Sequence, residues 1–235
     1  MSWNGKNHQS DGLIEQGFTL HVDGHEVPGV YWEPQDGADK LVMLGHGGTT
    51  HKKIDYILAL AGLLAKQGIA SVAIDGPGHG DRVERWEHEP DRFQEMWRNG
   101  GGTETVLTDW SAALDFIETE RSARPTGWWG LSMGTMMGLP VTATESRIRV
   151  AVLGLMGTWG PNEDDLKRLA TQVSCPVRFL VQWDDEIVPR DACIELFGML
   201  GTPRKTMHVN PGLHSAVPQF EIAGSVDYLA TQLGK

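Results

Sequence analysis

The sequence has few cysteines, few basic residues and no long apolar run. Two of its 235 residues are cysteines, Cys175 and Cys193, which is too few for a disulfide framework, so buried free thiols are expected. The 20 lysines and arginines stand against 31 acidic residues, giving a formal net charge of -11. Because this charge repels phosphate backbones and anionic lipid heads, we expect neither nucleic-acid nor membrane-surface partners.

No segment of the sequence resembles a membrane span or a secretory signal. The most apolar stretch, residues 57–65, is far shorter than the roughly 20 residues that a bilayer requires. The first residues are polar and lack the apolar core of a signal peptide. A hydrophobic fraction of 40% and a length of 235 residues suit one globular core. We therefore expect a soluble, cytoplasmic protein with a single domain, residues 1–235.

Short apolar runs alternate with helix-length amphipathic segments from residue 41 onwards. This alternation predicts an α/β fold, with a mostly parallel central sheet and helices on both faces. Strands are predicted at 41–44, 70–74, 126–129, 149–155, 177–182 and 206–209. Helices are predicted at 53–66, 105–120, after Ser132, and at 163–172, 189–200 and 215–233. The segments 18–22 and 27–32 flank Asp23 and Gly24, which predicts an antiparallel hairpin at the sheet edge.

The segments that could cover a site in this sheet are short. Between the predicted strands 149–155 and 177–182 there is room for one helix, and residues 82–103 are the other place for a lid. The sequence therefore predicts a minimal lid. A small cover implies an open site that takes short or medium substrates.

Residues 130–134 form a G-x-S-x-G pattern centred on Ser132. The pattern follows a β-like run and opens a helix-like stretch, which is the context of a strained strand-to-helix turn that exposes a nucleophilic serine. Glycines are needed on both sides because side chains would clash in so sharp a turn. The alternative is an ordinary glycine-rich loop between a strand and a helix.

A serine hydroxyl needs a base to take its proton and a third group to orient that base. His214 follows the last predicted strand, and three consecutive acidic residues, 184–186, follow the strand before it. We expect these residues at the carboxyl edge of the sheet, in the order serine, acid, histidine. One loop cannot aim all three acids at the histidine. We favour Asp185, since its D-x-x-V-P spacing places Pro189 at the next helix start, with Asp184 as the alternative.

Together these motifs resemble the α/β-hydrolase superfamily, and within it the small dienelactone-hydrolase-like and carboxylesterase-like members. The residues that carry the resemblance are 46–48, 75–80, 130–134, Asp185 with 188–189, and Gly212 with His214. The resemblance implies the α/β-hydrolase fold and a catalytic triad of Ser132, Asp185 and His214. Dienelactone hydrolases proper use a cysteine nucleophile, so the serine in this chain favours ordinary ester chemistry.

The resemblance also implies an oxyanion hole, which needs two backbone amides aimed at the developing alkoxide. Met133, directly after the nucleophile, supplies one of them. The family pattern H-G-x places the second at Gly48, with Thr49 a close alternative. We interpret the side chain of His46 as structural.

Two further residue types, arginine and tryptophan, could take part in substrate binding. Arg82 could grip a substrate carboxylate, or it could form a local ion pair with Asp81 or Glu84. Among the tryptophans, we assign Trp128 and Trp129 to the core. Trp159, Trp86 and Trp97 fall in loops that could line an apolar pocket, with Trp159 as the tentative substrate contact.

The predicted activity is hydrolysis of carboxylic esters of short to medium acyl chains through an acyl-enzyme. The same triad could serve thioesterase, peptidase, acyltransferase or lyase chemistry. A non-catalytic ligand-binding protein that kept the scaffold is the alternative of another class. No histidine cluster with metal-ligand spacing is present in the sequence, so neither a metal nor another cofactor is expected, and the predicted partner is a small-molecule ester.

Overall fold

A computed structural model describes residues 2–10, 12–83, 95, 97–99 and 101–235. Nine strands in these residues form one sheet: β1 (Ser2–Ser10), β2 (Leu13–Val22), β3 (His25–Pro34), β4 (Lys40–Gly45), β5 (Ile69–Ile74), β6 (Thr126–Gly130), β7 (Ile148–Gly154), β8 (Val177–Gln182) and β9 (Lys205–Asn210). The longer helices of the described residues are α1 (Asp55–Ala65), α2 (Gly102–Arg121), α3 (Met133–Thr144), α4 (Glu163–Ala170), α5 (Arg190–Met199) and α6 (Gln219–Leu233).

The sheet is antiparallel at its N-terminal end and parallel elsewhere. Its strand order is β1-β2-β3-β5-β4-β6-β7-β8-β9, and every neighbouring pair from β5 to β9 is parallel. The predicted hairpin is confirmed, because β2 and β3 turn at Asp23 and Gly24, which have φ angles of 47° and 86°. The edge strand β1 was not predicted. Its polar sequence has no apolar alternation, and it is defined by its pairing with β2.

The strands place apolar side chains on both faces of the sheet. Successive residues of a strand point to opposite faces, so the adjacent tryptophans of β6 separate. Trp128 packs into the core cluster beneath α2 to α5, whereas Trp129 packs into the cluster beneath α1 and α6. Both side chains are buried, as predicted, and helices cover both faces.

The parallel strands bring four loops to one edge of the sheet. β4, β6, β8 and β9 all run in the same direction and end at Gly45, Gly130, Gln182 and Asn210. The chain segments that follow carry the HGG motif, Ser132, the three acids and His214. Ligands of open parallel sheets bind at this carboxyl edge.

The cover over this edge is small in the described part of the chain. A single helix, α4, lies between β7 and β8, as predicted. Residues 84–94, 96 and 100, which include Glu84 and Trp86, lie outside the described residues, so the second predicted lid segment is described only at its ends. Trp97 is buried in the core cluster. In the described part of the chain, no helix is both long and apolar enough to cross a membrane.

Candidate active site

Ser132 occupies a strained turn between β6 and α3. Its φ of 57° and ψ of -122° lie in a region that a residue with a side chain rarely adopts, at a strain of about 1–3 kcal/mol. A side chain at Gly130 would place its Cβ 2.6 Å from the carbonyl oxygen of Gly134. The two glycines of the motif are therefore required by close backbone approach, and the turn holds the serine hydroxyl clear of the sheet.

Thr135, which was not predicted from the sequence, joins this turn to the neighbouring strand β7 by hydrogen bonds. Its buried hydroxyl accepts from the Gly154 amide at 2.8 Å and lies 2.7 Å from the Gly154 carbonyl oxygen and 2.9 Å from that of Gly130. The Ser132 amide donates to the same Gly154 carbonyl at 2.9 Å. The turn is thus held by hydrogen bonds from both of its ends, which fixes the position of the serine.

His214 lies between Ser132 and Asp185. Its Nε2 is 2.9 Å from Ser132 Oγ, and its Nδ1 is 2.7 Å from Asp185 Oδ2. Because a carboxylate only accepts, Nδ1 carries the proton and Nε2 is free to accept the serine proton. The Asp185 side chain is 1% exposed, and its other oxygen accepts from the amides of Ile187 and Val188 at 2.9 and 2.8 Å. Both carboxylate oxygens are therefore held in place.

The neighbouring acids contact the same loop at other atoms. Asp184 Oδ2 accepts from the Gly212 amide at 3.1 Å, and Glu186 Oε2 accepts from the His214 amide at 2.8 Å. The structure thus brings Asp185, and not Asp184, to the imidazole ring. All three acids nevertheless accept hydrogen bonds from the loop that carries Gly212 and His214, here called the histidine loop. This was not predicted from the sequence.

The candidate oxyanion donors lie in the two segments that follow the neighbouring strands β4 and β6. Met133 is the first residue of α3, so its amide has no acceptor within the helix. In the loop after β4, the Gly47 amide is engaged, because it donates to the Tyr56 hydroxyl at 2.5 Å. The amides of Gly48 and Thr49 have no acceptor among the residues that the structure describes. Thr49 has a φ of 62°, so this loop is also strained.

His46 holds that loop from within the core. Its ring is fully buried, Nε2 accepts from the Gly76 amide at 2.9 Å, and Nδ1 lies 2.8 Å from the Gly47 carbonyl oxygen. A backbone amide can only donate, so the neutral ring carries its proton on Nδ1. Burial, together with the neighbouring His79, lowers the pKa of His46 to about 4. This environment fits the structural interpretation of His46.

The low pKa of His46 predicts a loss of stability in acid. A histidine in the unfolded chain protonates near pH 6.5, whereas folded His46 stays neutral down to about pH 4. The unfolded state therefore binds the proton first, and the free energy of unfolding should fall by about 3 kcal/mol between these pH values. Urea titrations across this range should give a shallower pH slope for His46→Gln. The exposed His21→Gln is the control, and an unchanged slope in His46→Gln would contradict the prediction.

A buried ion pair ties the same loop to the segment after β5. Lys52 Nζ lies 2.5 Å from Asp75 Oδ2 and 2.6 Å from Asp81 Oδ2, and the Lys52 amide donates to Asp75 Oδ1 at 2.9 Å. The hydrogen bond from Lys52 lowers the pKa of Asp81. The HGG loop is thus anchored at His46 and again at Lys52.

Arg82, suggested by the sequence as a contact for a substrate carboxylate, pairs with a carboxylate of the protein itself. Its guanidinium donates to Asp109 Oδ2 at 2.7 Å and to the Asp75 carbonyl at 3.2 Å, and its side chain is only 10% exposed. Asp109, in α2, is fully buried and also contacts His25 at 2.8 Å. We therefore correct the assignment: Arg82 forms a buried structural ion pair. Among the described residues its carboxylate partner is Asp109, which is remote in sequence, and not Asp81, while Glu84 lies outside the described residues.

Trp159 lies in the loop between β7 and α4 and is 38% exposed, and its contact with substrate stays a prediction. Across the residues described by the structure, no group of three or more histidine, cysteine or acidic side chains could hold a metal ion. Cys175 and Cys193 are free and buried, and burial raises their pKa values to about 11 and about 12.

Comparison with known proteins identifies the family of the chain and several similar structures. The model of the family described as serine aminopeptidase, S33, matches residues 36–159, more than half of the chain. A PEG-bound cold-adapted esterase from an Arctic intertidal metagenomic library is 61% identical, with a TM-score of 0.94 over 99% of this chain and 100% of that chain. A zinc-bound structure of such an esterase is 59% identical, with a TM-score of 0.89 and the same coverage.

More distant structures share the fold alone. The acetyl xylan esterase from Paenibacillus sp. R4 is 18% identical, with a TM-score of 0.75 over 98% of this chain and 89% of that chain. No protein of curated function matches the chain.

Proposed function

The chain belongs to the serine aminopeptidase S33 family of α/β-hydrolases, and from this premise we propose that it hydrolyses carboxylic esters through an acyl-enzyme on Ser132. The hydrogen-bonded series from Ser132 Oγ through His214 to Asp185, built on the strained turn, is the observation that carries the residue assignment. The 61% identical relative is an esterase, which supports ester substrates.

The first half of the reaction forms the acyl-enzyme. Ser132 Oγ attacks the ester carbonyl carbon while His214 Nε2 takes the hydroxyl proton, and the carbonyl oxygen becomes an oxyanion. The amides of Met133 and Gly48, or of Thr49, donate to that oxyanion. His214 then returns the proton to the alcohol oxygen as the ester C–O bond breaks. Asp185 holds the ring in the required tautomer and stabilises the imidazolium.

The second half releases the acid and restores the enzyme. A water molecule gives a proton to His214 and attacks the acyl carbon, and His214 protonates Ser132 as the acyl bond breaks. Nucleophile, base and orienting acid are all side chains, so this mechanism needs no cofactor. We place the reaction in the cytoplasm, which suits two thiols that stay free and buried.

The described cover favours small acyl groups. Only α4 lies between β7 and β8, and Trp159, in the loop that leads to it, is 38% exposed. Against this described part of the cover, a long acyl chain would gain little apolar burial. The substrate class that fits best is an ester of a short or medium-chain acid.

This proposal is tested with a panel of p-nitrophenyl esters of increasing acyl length and with leucine p-nitroanilide. We expect kcat/KM to be highest for short and medium chains, to fall at least on the order of 10-fold for palmitate, and to be negligible for the anilide. Ser132→Ala, assayed in parallel, gives the background. Faster cleavage of the anilide than of every ester would instead assign the site to an aminopeptidase.

A further inference from the structure

The loops that carry Asp185 and His214 are joined at several points besides the ring itself. The Trp183 amide donates to the Asn210 carbonyl at 2.7 Å, and the Asp184 amide donates to the Gly212 carbonyl at 3.2 Å. In the opposite direction, the carboxylates of Asp184 and Glu186 accept hydrogen bonds from the amides of Gly212 and His214. The histidine loop therefore depends on the acid loop for its shape.

The histidine loop has a turn of its own, in which the Ala216 amide donates to the Leu213 carbonyl at 2.9 Å, and Gln182 Nε2 donates to the same carbonyl at 3.2 Å, but neither bond engages the His214 amide. The loop follows the last residue of β9, and Gly212 has a φ of 110°, outside the range of regular structure. Asp185 fixes the rotation of the His214 ring, but the position of that ring also depends on the position of the His214 main chain. Glu186 holds that main chain, because its carboxylate accepts from the His214 amide at 2.8 Å. A hydrogen bond to an ionised acceptor is roughly twice as strong as a neutral one.

We propose that Glu186, assisted by Asp184, is a positioning residue that sets the main chain of His214 so that Nε2 faces Ser132. The proposal rests on the function proposed above. Asp185 and Glu186 act on the same histidine, one at the ring and one at the backbone. Asp184 adds a longer contact, of 3.1 Å, at Gly212. Neither Asp184 nor Glu186 touches the reacting atoms.

Removal of the Glu186 carboxylate should slow the chemical step. In Glu186→Ala we expect kcat for p-nitrophenyl butyrate to fall on the order of 10-fold, because sub-ångström misplacement of a base weakens proton transfer. KM should change little, since the base does not hold the ground-state ester. Glu186→Gln should recover most of kcat, because its amide oxygen can still accept from the His214 amide.

Two further measurements separate positioning from charge and from folding. Asp191→Ala removes one negative charge from a side chain that is 94% exposed, and it should leave kcat unchanged. Hydrogen exchange of the His214 amide should quicken in Glu186→Ala and stay slow in Glu186→Gln. Wild-type kcat in Glu186→Ala, or a Glu186→Gln variant as slow as the alanine variant, would overturn the proposal.

The variants Ser132→Ala and Glu186→Ala, measured side by side, distinguish failure of the proposed function from failure of the positioning role. An active Ser132→Ala would remove the proposed function itself. An inactive Ser132→Ala beside a fully active Glu186→Ala would remove only the positioning role.

Discussion

Replacing Ser132 by alanine is expected to lower kcat for ester hydrolysis by roughly 10⁶, about the loss that follows removal of a triad serine or histidine in a serine hydrolase. The methyl side chain of alanine cannot form the acyl bond. A water molecule in place of the hydroxyl would not be held in position by the strained turn. His214→Ala should cost about as much, because serine and base act as one unit. Both variants are compared with wild type on p-nitrophenyl butyrate.

Matched variants make this comparison specific. Ser215→Ala changes an exposed serine next to His214, and His208→Ala changes a histidine of β9 whose ring faces Glu221 at 3.4 Å. Both should remain active. A fluorophosphonate should label wild type at Ser132, and mass spectrometry that places the label on another residue would refute the mechanism.

Replacing Asp185 by asparagine should lower kcat on the order of 10⁴, the effect expected when the orienting acid of a triad is lost. Asparagine keeps the shape of the side chain but can present an amide N–H to His214 Nδ1, which favours the wrong tautomer. It also leaves the imidazolium without a countercharge. The fold should be preserved, because the amide oxygen can still accept from the amides of Ile187 and Val188.

Asp184→Asn is the matched control for that variant. It removes the adjacent charge but keeps an oxygen that can accept from the Gly212 amide, so its kcat should stay within about 10-fold of wild type. Single-turnover kinetics with p-nitrophenyl butyrate measure the chemical step directly in both variants. A larger loss in Asp184→Asn than in Asp185→Asn would move the role of the acid to Asp184.

Most of the fold is predictable from the sequence, because strand–helix alternation and the hydrophobic runs are local signals. The hairpin at Asp23 and Gly24 carries its own turn signature. β1 lacks such a signal, since an edge strand of polar residues is defined by its partner. The last helix begins at Gln219 rather than at 215, after Pro218, because the preceding residues form the histidine loop.

The site was predictable where chain order and motif spacing determine it, and not where tertiary contacts do. The order of Ser132, the acids and His214 follows from the motifs alone. One loop was expected to direct a single acid at the histidine ring, and it does so with Asp185. The other two acids accept instead from backbone amides of the histidine loop, which no sequence pattern indicates. Thr135 is a common residue in an ordinary helix, and its contact with Gly154 depends on how two strands pair. The partner of Arg82 lies on a helix distant in sequence.

The backbone strain at this edge has a consequence for engineering the protein. Thr49, Ser132 and Leu155 are non-glycine residues with φ angles of 62°, 57° and 51°, and all three follow strands at the carboxyl edge. Selection for heat resistance alone would favour variants that relax these turns, at the expense of turnover. Thermostable variants that keep their activity should therefore be sought in the antiparallel strands β1 and β2, at the other end of the strand order from β8 and β9, whose loops carry Asp185 and His214.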